Sequence, residues 1–174
     1  MGKSRVHLEN DHLKWQKNYE YEKDQILQAI GLKTLGIEHI GSTSIKGMAA
    51  KPIIDIMVGV LDLADYFMFL RPLSSIDFEY VHKPELTERK FFRKGEWGKG
   101  TCHLHMCEYG SREWNEKILF RNYLQAHPAA AEKYATLKKQ LASKYQFDRP
   151  AYTREKEPFI KTVIERAMRE IQQQ

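Results

Sequence analysis

The chain has 174 residues, of which 42% are hydrophobic, so it is long enough to bury one core of ordinary size. No Gly-, Ser- or Pro-rich linker divides the sequence, and we therefore expect a single domain that spans residues 1–174. The 28 Lys and Arg residues exceed the 23 Asp and Glu residues by five, a mild excess that suits an anionic ligand such as a nucleotide. The basic residues form no dense stripe and no nucleic-acid-binding motif, so a nucleic-acid partner is not expected.

The apolar runs and the cysteines indicate the compartment. No apolar run is long enough to cross a membrane, and residues 1–6 lack the apolar centre of a secretion signal. Cys102 and Cys107 are the only cysteines, and their odd separation on one strand turns them to opposite faces, which argues against a disulfide. Free thiols fit a reducing compartment. We therefore expect a cytoplasmic protein with no membrane partner, and the sequence leaves its oligomeric state open.

The first half of the chain predicts two helices and two strands. Aromatic and aliphatic residues recur at helical spacing from about Asp11 to Gly31 and predict an amphipathic helix. A strand from Thr34 to Ile40 follows, and after a turn of small residues an apolar, β-branched strand runs from Pro52 to Val60. The stretch from Asp62 to Leu70 predicts a second helix, which we expect to end at Pro72.

The second half of the chain is predicted to be first β and then helical. Alternating residues near Tyr80 predict a third strand, and residues 88–94 with 100–108 predict a hairpin. Beyond Ser111 the apolar spacing predicts three helices, the last of which holds Pro158 near its first turn. This order of elements predicts an α+β fold.

The residues best suited to catalysis lie between His39 and Val60. A turn in this segment offers three hydroxyls beside exposed backbone N–H groups, an arrangement that suits a phosphate. The turn consists of Gly41, Ser42, Thr43 and Ser44. The alternative interpretation is a tight turn whose hydroxyls cap the short helix that follows. On the next strand Asp55 is the single acid in an apolar run, and its burial is costly unless it is paired, hydrogen-bonded or bound to a metal.

These residues resemble the GrpB family (UPF0157) of the nucleotidyltransferase-like superfamily. The similar blocks, in the order of the family, are residues 39–44, 49–56, 89–94, 103–105, 119–128 and 151–156. The resemblance covers nearly the whole chain and implies a nucleotidyltransferase-like mixed β-sheet with helices packed mainly on one face. It also implies transfer of a nucleotidyl group from a nucleoside triphosphate to an unknown acceptor with the help of a divalent metal.

The chain departs from the superfamily pattern at one position. That pattern has Gly-Ser after one strand and two carboxylates two residues apart on the next strand, where both side chains face the same way. Gly41 and Ser42 match the first part, and Asp55 matches the first carboxylate. The second position is Met57, which cannot bind Mg²⁺. The departure leaves three alternatives open: a transferase, a catalytically inactive nucleotide- or phosphate-binding regulatory module, and a single-metal hydrolase.

Two histidines are the predicted substitutes for the missing carboxylate. His103 and His105 lie two residues apart on an alternating strand, so their side chains face the same side. With Asp55 they form the predicted metal site, and imidazole favours Zn²⁺, Mn²⁺ or Fe over Mg²⁺, although the sequence does not decide among Mg, Mn and Zn. The alternative interpretation is that both histidines only form hydrogen bonds on a sheet face.

Basic residues complete the predicted site, whose ligand is a nucleotide or another phosphorylated small molecule. Lys51 either offsets phosphate charge next to the turn or lies in water. Arg93 is the favoured phosphate clamp from the hairpin. Arg121 either reaches the cleft from its helix or packs at the rim. The predicted catalytic residues are Ser42, Lys51 and Asp55.

Overall fold

The computed structural model describes residues 7–96 and 98–173, so the expectation that rests on residues 1–6 lies outside the described part. Its helices and strands, in chain order, are α1 (His12–Ile30), β1 (Gly36–Ile40), β2 (Ile54–Val60), α2 (Phe67–Ser74), β3 (Glu79–Val81), β4 (Lys90–Glu96), β5 (Lys99–Glu108), α3 (Arg112–Ala126), α4 (Pro128–Lys144), α5 (Arg149–Arg154) and α6 (Glu157–Gln172). The predicted α+β fold is confirmed. None of the described helices combines the length and the apolar content that crossing a bilayer needs.

The five strands form one mixed sheet in the order β1-β2-β5-β4-β3. Strands β2 and β5 run parallel, and the other neighbouring pairs are antiparallel. The parallel register sets Asp55 on β2 opposite His103 on β5, and the hairpin register sets Phe91 on β4 opposite His105. Since partners in register share a sheet face, the topology brings these side chains to the same side.

One sheet face and two helices enclose the main core. Leu104 and Met106 of β5 are fully buried on this face, and they pack with Trp15 and Ile26 of α1 and Leu73 of α2. Each such side chain stabilises the fold by about 1.5–3 kcal/mol relative to its exposed state. Helices α1 and α2 therefore cover this face of the sheet.

The opposite face is covered only in part. Met57 and Cys107 are fully buried there against Trp114 of α3. A second apolar cluster joins α3, α4 and α6 to the loop after β1; its buried members are Ile45, Met48, Phe120, Leu124, Tyr134 and Val163. The rest of this face lines a cavity. Cys102 packs in the main core and Cys107 on the other face, and both are free thiols, as the sequence predicts.

The structure differs from the sequence prediction at two helices. Pro72 lies inside α2, which continues to Ser74, so the predicted helix end is wrong. The burial of Phe69 and Leu73 offsets the loss of the backbone hydrogen bond that Pro72 cannot donate, and α2 ends within one turn after this proline. The short helix α5 was not predicted, although Asp148 caps it by accepting from the Ala151 N–H at 3.0 Å.

Candidate metal and phosphate site

Three candidate metal ligands converge on the partly covered face of the sheet. His103 Nδ1 and His105 Nε2 each lie 3.3 Å from Asp55 Oδ1. One ligand atom from each residue lies within 4.8 Å of the other two. The side chains keep 30% (Asp55), 29% (His103) and 15% (His105) of their surface exposed, so the group is open to a substrate on one side. We call Asp55, His103 and His105 the triad.

The donor atoms of the triad fit a single metal ion. A tetrahedral ion with ligands at about 2.0–2.1 Å holds its donor atoms roughly 3.3–3.4 Å apart, close to the two separations in the triad. Two imidazoles and one carboxylate suit Zn²⁺ or Mn²⁺ better than Mg²⁺. On the far side of its ring, His105 Nδ1 is buried with no hydrogen-bond partner among the described residues, so this ligand lacks the outer support that metal-bound histidines usually have.

The charges of the triad also suit a cation. Burial works to raise the pKa of Asp55, but hydrogen bonds and positive charge from His103 and His105 outweigh it and hold this pKa well below its usual range. Burial lowers the pKa of His105, the hydrogen bond and charge of Asp55 oppose this, and the charges of Arg89 and Lys117 add to the lowering. Both shifts favour the forms that a metal ion requires, the ionised carboxylate and the deprotonated imidazole.

The small-residue turn lies directly against Asp55. Gly41 has φ +69°, and a Cβ atom at this position would lie only 2.7 Å from Asp55 Oδ2. The turn is closed by the Ser44 hydroxyl, which donates to the Gly41 carbonyl at 2.6 Å. Behind it, Thr43 Oγ1 lies 2.9 Å from His39 Nε2, and the His39 ring stacks on Tyr19 with centroids 4.6 Å apart. His39 therefore supports the turn from behind.

The turn and the triad open into one cavity of about 510 Å³. This volume lies in the range of small-molecule sites. The sheet side contributes the triad, Gly41 and Ser42, and the helical side contributes residues of α3, α4, α5 and α6. Tyr134 of α4 connects the two sides, because its hydroxyl shares a hydrogen bond with Ser42, although burial raises the pKa of Tyr134 overall.

Three lysines from separate segments meet at the helical side of the cavity, and we call Lys51, Lys138 and Lys156 the lysine cluster. Lys51 Nζ and Lys156 Nζ lie 5.3 Å and 4.6 Å from the centroid of the Tyr152 ring. Lys138 Nζ lies 5.1 Å from the Tyr134 ring and donates to the carbonyl of Ala49. Each ammonium group therefore sits on an aromatic ring at the cavity wall.

The lysine cluster is a region of concentrated positive charge. Burial, followed by the charges of Lys156 and Lys51, lowers the pKa of Lys138 to about 7, and burial with the charge of Lys51 lowers that of Lys156 to about 8. No ion pair among the described residues involves any of the three lysines. An anion bound here would relieve their mutual repulsion.

Of the three lysines of the cluster, Lys51 is predicted from the sequence to belong to the site, whereas Lys138 and Lys156 are not. A signal for Lys138 was available, because it lies four residues after Tyr134 and three before Leu141, on the apolar side of α4. A lysine in an apolar stripe is unusual unless its charge has a role or a partner. Lys156 stands in a loop position before α6, where periodicity gives no signal.

Three of the predicted phosphate-binding residues do not line the cavity. Ser44 lines a different cavity behind the turn. Arg93 forms an ion pair with Glu79 at 2.6 Å, and Arg89 lines the cavity instead. Arg121 pairs with Glu38 at 2.6 Å and donates to the His39 carbonyl at 2.9 Å, so it anchors strand β1.

Met57 stands at the position of the second superfamily carboxylate and belongs to the core. It is 0% exposed and packs with Ile40, Cys107 and Trp114. This position cannot supply a metal ligand, and the surrounding apolar side chains would not solvate a carboxylate. Within the described residues, the triad is the group of His, Cys, Asp and Glu side chains with metal-binding spacing.

Solved structures define the class of this fold. The Cid1 poly(U) polymerase superposes with a TM-score of 0.57 at 12% sequence identity, over 84% of this chain and 48% of that chain. A crystal structure of the conserved protein GrpB from Enterococcus faecalis superposes with a TM-score of 0.85 at 34% identity, over 95% of this chain and 98% of that one. The fold is therefore nucleotidyltransferase-like.

Sequence comparisons show the family. A family model described as GrpB protein matches residues 5–166. The Glutamate-rich protein GrpB of Alkalihalophilus pseudofirmus is 37% identical over 163 residues, which are 91% of each chain. The UPF0157 protein YqkA of Bacillus subtilis is 38% identical over 156 residues, 90% of this chain but only 45% of the length of YqkA. The chain belongs to the GrpB family.

Proposed function

We propose that the protein is a metal-dependent nucleotidyltransferase that acts on a nucleoside triphosphate. The observation that carries this proposal is the shared cavity, which the triad, the Gly41–Ser42 turn and the lysine cluster all line. A cation site beside a concentration of unpaired positive charge suits a polyphosphate more than it suits a neutral ligand.

Each part of the cavity has a role in this reaction. The triad holds one divalent ion, which when bound offsets the charge of the phosphates. The Gly41–Ser42 turn presents its hydroxyl and backbone beside the α-phosphate, and the lysine cluster holds the terminal phosphates. A hydroxyl oxygen of the acceptor forms a bond to the α-phosphorus, and the bond from that phosphorus to the bridging oxygen breaks. Diphosphate leaves with the electron pair, and the hydroxyl proton passes to solvent.

The experiment that tests this function is a comparison of Asp55→Asn with the wild type. Divalent-dependent consumption of a panel of nucleoside triphosphates, followed by the diphosphate released, should be abolished in the variant. Its melting temperature should change by only a few degrees, because the side-chain volume is kept. Asp24→Asn, which removes an exposed carboxylate of α1, is the matched control and should retain full turnover. Unchanged turnover in Asp55→Asn would exclude Asp55 from catalysis.

The burial of Met57 favours a second candidate, a binding or regulatory module without transfer activity. A site with one metal position and no second carboxylate retains the groups that bind a nucleotide but lacks a partner in two-metal catalysis. Calorimetry with the same nucleotide panel separates the two candidates. Saturable binding without product supports the module, and the absence of binding with or without metal contradicts both.

A further inference from the structure

The cavity carries a second group of cations beside the histidines of the triad. Lys83 and Arg89 lie in the loop before β4, and Lys117 lies on α3. All three line the cavity. We call Lys83, Arg89 and Lys117 the hairpin cations.

Aromatic rings fix which side of the cavity each group occupies. Lys83 Nζ lies 4.2 Å above the centroid of the Phe91 ring, and this ring lies 5.0 Å from the His103 ring and 5.4 Å from the His105 ring. Lys83 therefore lies next to the histidines, and the charges of Arg89 and Lys117 act on the pKa of His105. The lysine cluster lies on Tyr134 and Tyr152, and Tyr134 contacts Ser42 of the turn. The lysine cluster therefore lies at the turn and Lys83 lies at the histidines, while Lys117 is close enough to Lys156 for its charge to lower the pKa of Lys156.

The charge of the cavity exceeds what one nucleotide needs. Seven Lys and Arg residues and three Asp and Glu residues line it, an excess of four positive charges. Glu113, which lies behind the lining and pairs with Arg89 and Lys117, reduces the excess to three. A nucleoside triphosphate carries about four negative charges, and a divalent ion offsets two of them. An excess of about one positive charge therefore remains in the cavity when the nucleotide and its metal are bound.

We propose that the hairpin cations bind a second anion, the phosphate group of a small phosphorylated acceptor. This inference rests on the proposed function, because it assigns the acceptor of that reaction. The position is suitable, since an acceptor anchored at Lys83 and Arg89 lies beside the histidines of the triad. Lysine and arginine side chains are the usual partners of phosphate, and the half-buried wall formed by Phe91 strengthens their attraction.

The test measures phosphate binding to the nucleotide complex. The protein is first saturated with Mn²⁺ and an α,β-methylene nucleoside triphosphate, which cannot transfer its nucleotidyl group, and inorganic phosphate is then titrated by calorimetry. We expect one saturable phosphate site per chain, weakened at least tenfold in Lys83→Met. Lys90→Met is the matched control, because Lys90 lies on the same hairpin but over the Tyr66 ring and outside the cavity lining. This variant should bind phosphate like the wild type.

Two outcomes overturn the inference. The first is no saturable phosphate binding to the nucleotide complex, and the second is equal weakening by Lys83→Met and Lys90→Met, which indicates a diffuse charge effect. Failure of the proposed function looks different, because then the nucleotide analogue itself does not bind. In that event phosphate is titrated into the free protein, where the hairpin site should still be lost in Lys83→Met and kept in Lys90→Met, and equal binding by the two variants overturns the inference.

Discussion

Because Gly41 packs directly against Asp55, we predict that Gly41→Ala both strains the backbone and moves the Asp55 carboxylate. The added Cβ would lie 2.7 Å from Asp55 Oδ2, closer than a carbon and an oxygen approach without bonding. The turn also holds Gly41 at φ +69°, where any residue with a Cβ is strained. The substitution therefore has two effects, a backbone strain and a displacement of the carboxylate.

Gly47→Ala separates these two effects. Gly47 has φ +81°, and a Cβ at this position would meet no atom within 4 Å. We expect Gly47→Ala to cost about 1–2 kcal/mol of unfolding free energy from strain alone. For a chain of this size the loss corresponds to a fall in melting temperature of roughly 2–8 °C. Gly41→Ala should cost a further 1.5–3 kcal/mol or so, because Asp55 must move away from a histidine partner.

Thermal unfolding and Mn²⁺ titration measure the two effects. Gly41→Ala should melt below Gly47→Ala and bind Mn²⁺ at least roughly tenfold more weakly than the wild type, since one of three ligands is displaced. Gly47→Ala should bind Mn²⁺ like the wild type. Equal melting temperatures and equal Mn²⁺ affinities in the two variants would refute the close packing of the turn on Asp55.

Two further predictions concern Met57 and His39. Met57→Leu should lower the free energy of unfolding in urea by less than about 1.5 kcal/mol. Met57→Asp should lower it by about 3 kcal/mol or more, because this substitution buries an unpaired carboxylate. Equal losses in the two variants would show that the position is not part of the core. Burial lowers the pKa of His39 to about 4, against the opposing charge of Asp55. Between pH 6.5 and pH 4 the unfolded chain therefore binds more protons than the folded chain. The free energy of unfolding is not reduced by His39 above pH 6.5, and it declines by up to about 3 kcal/mol as the pH falls to 4. His39→Gln should lose less stability over this range, and a His39 midpoint near 6.5 by NMR would contradict the argument.

Local patterns in the sequence were sufficient to predict the candidate ligands that the sheet contributes to the site. An acid inside an apolar strand identified Asp55, and the two-residue period of a strand placed His103 and His105 on one face. The register between β2 and β5 was not predictable from the sequence, yet it decides that Asp55 lies opposite His103 and within 3.3 Å of both rings. The odd or even position of a residue along a strand decides which sheet face its side chain occupies. Which side chain lies next to it on the neighbouring strand depends on the register between the two strands.

The cation side of the site depended on tertiary packing and was predicted less well. Arg93 has the correct strand parity for the cavity face, but Glu79 on the neighbouring strand β3 pairs with it. Lys138 of α4 and Lys156, directly before α6, are placed by helices whose position over the sheet is set by the second apolar cluster, to which no short sequence motif corresponds. The candidate metal ligands and one of the three lysines of the cluster were therefore predictable from the sequence.

The most direct test of the account is the stoichiometry of Mn²⁺ binding, measured by the loss of the electron paramagnetic resonance signal of free Mn²⁺. We predict one tightly bound ion per chain in the wild type and in the control His82→Gln, which changes an exposed histidine outside the triad. Asp55→Asn and His103→Gln should each lose this site while remaining folded. Binding that is absent from the wild type, or that persists unchanged in both triad variants, would contradict the assignment of Asp55, His103 and His105 as a metal site.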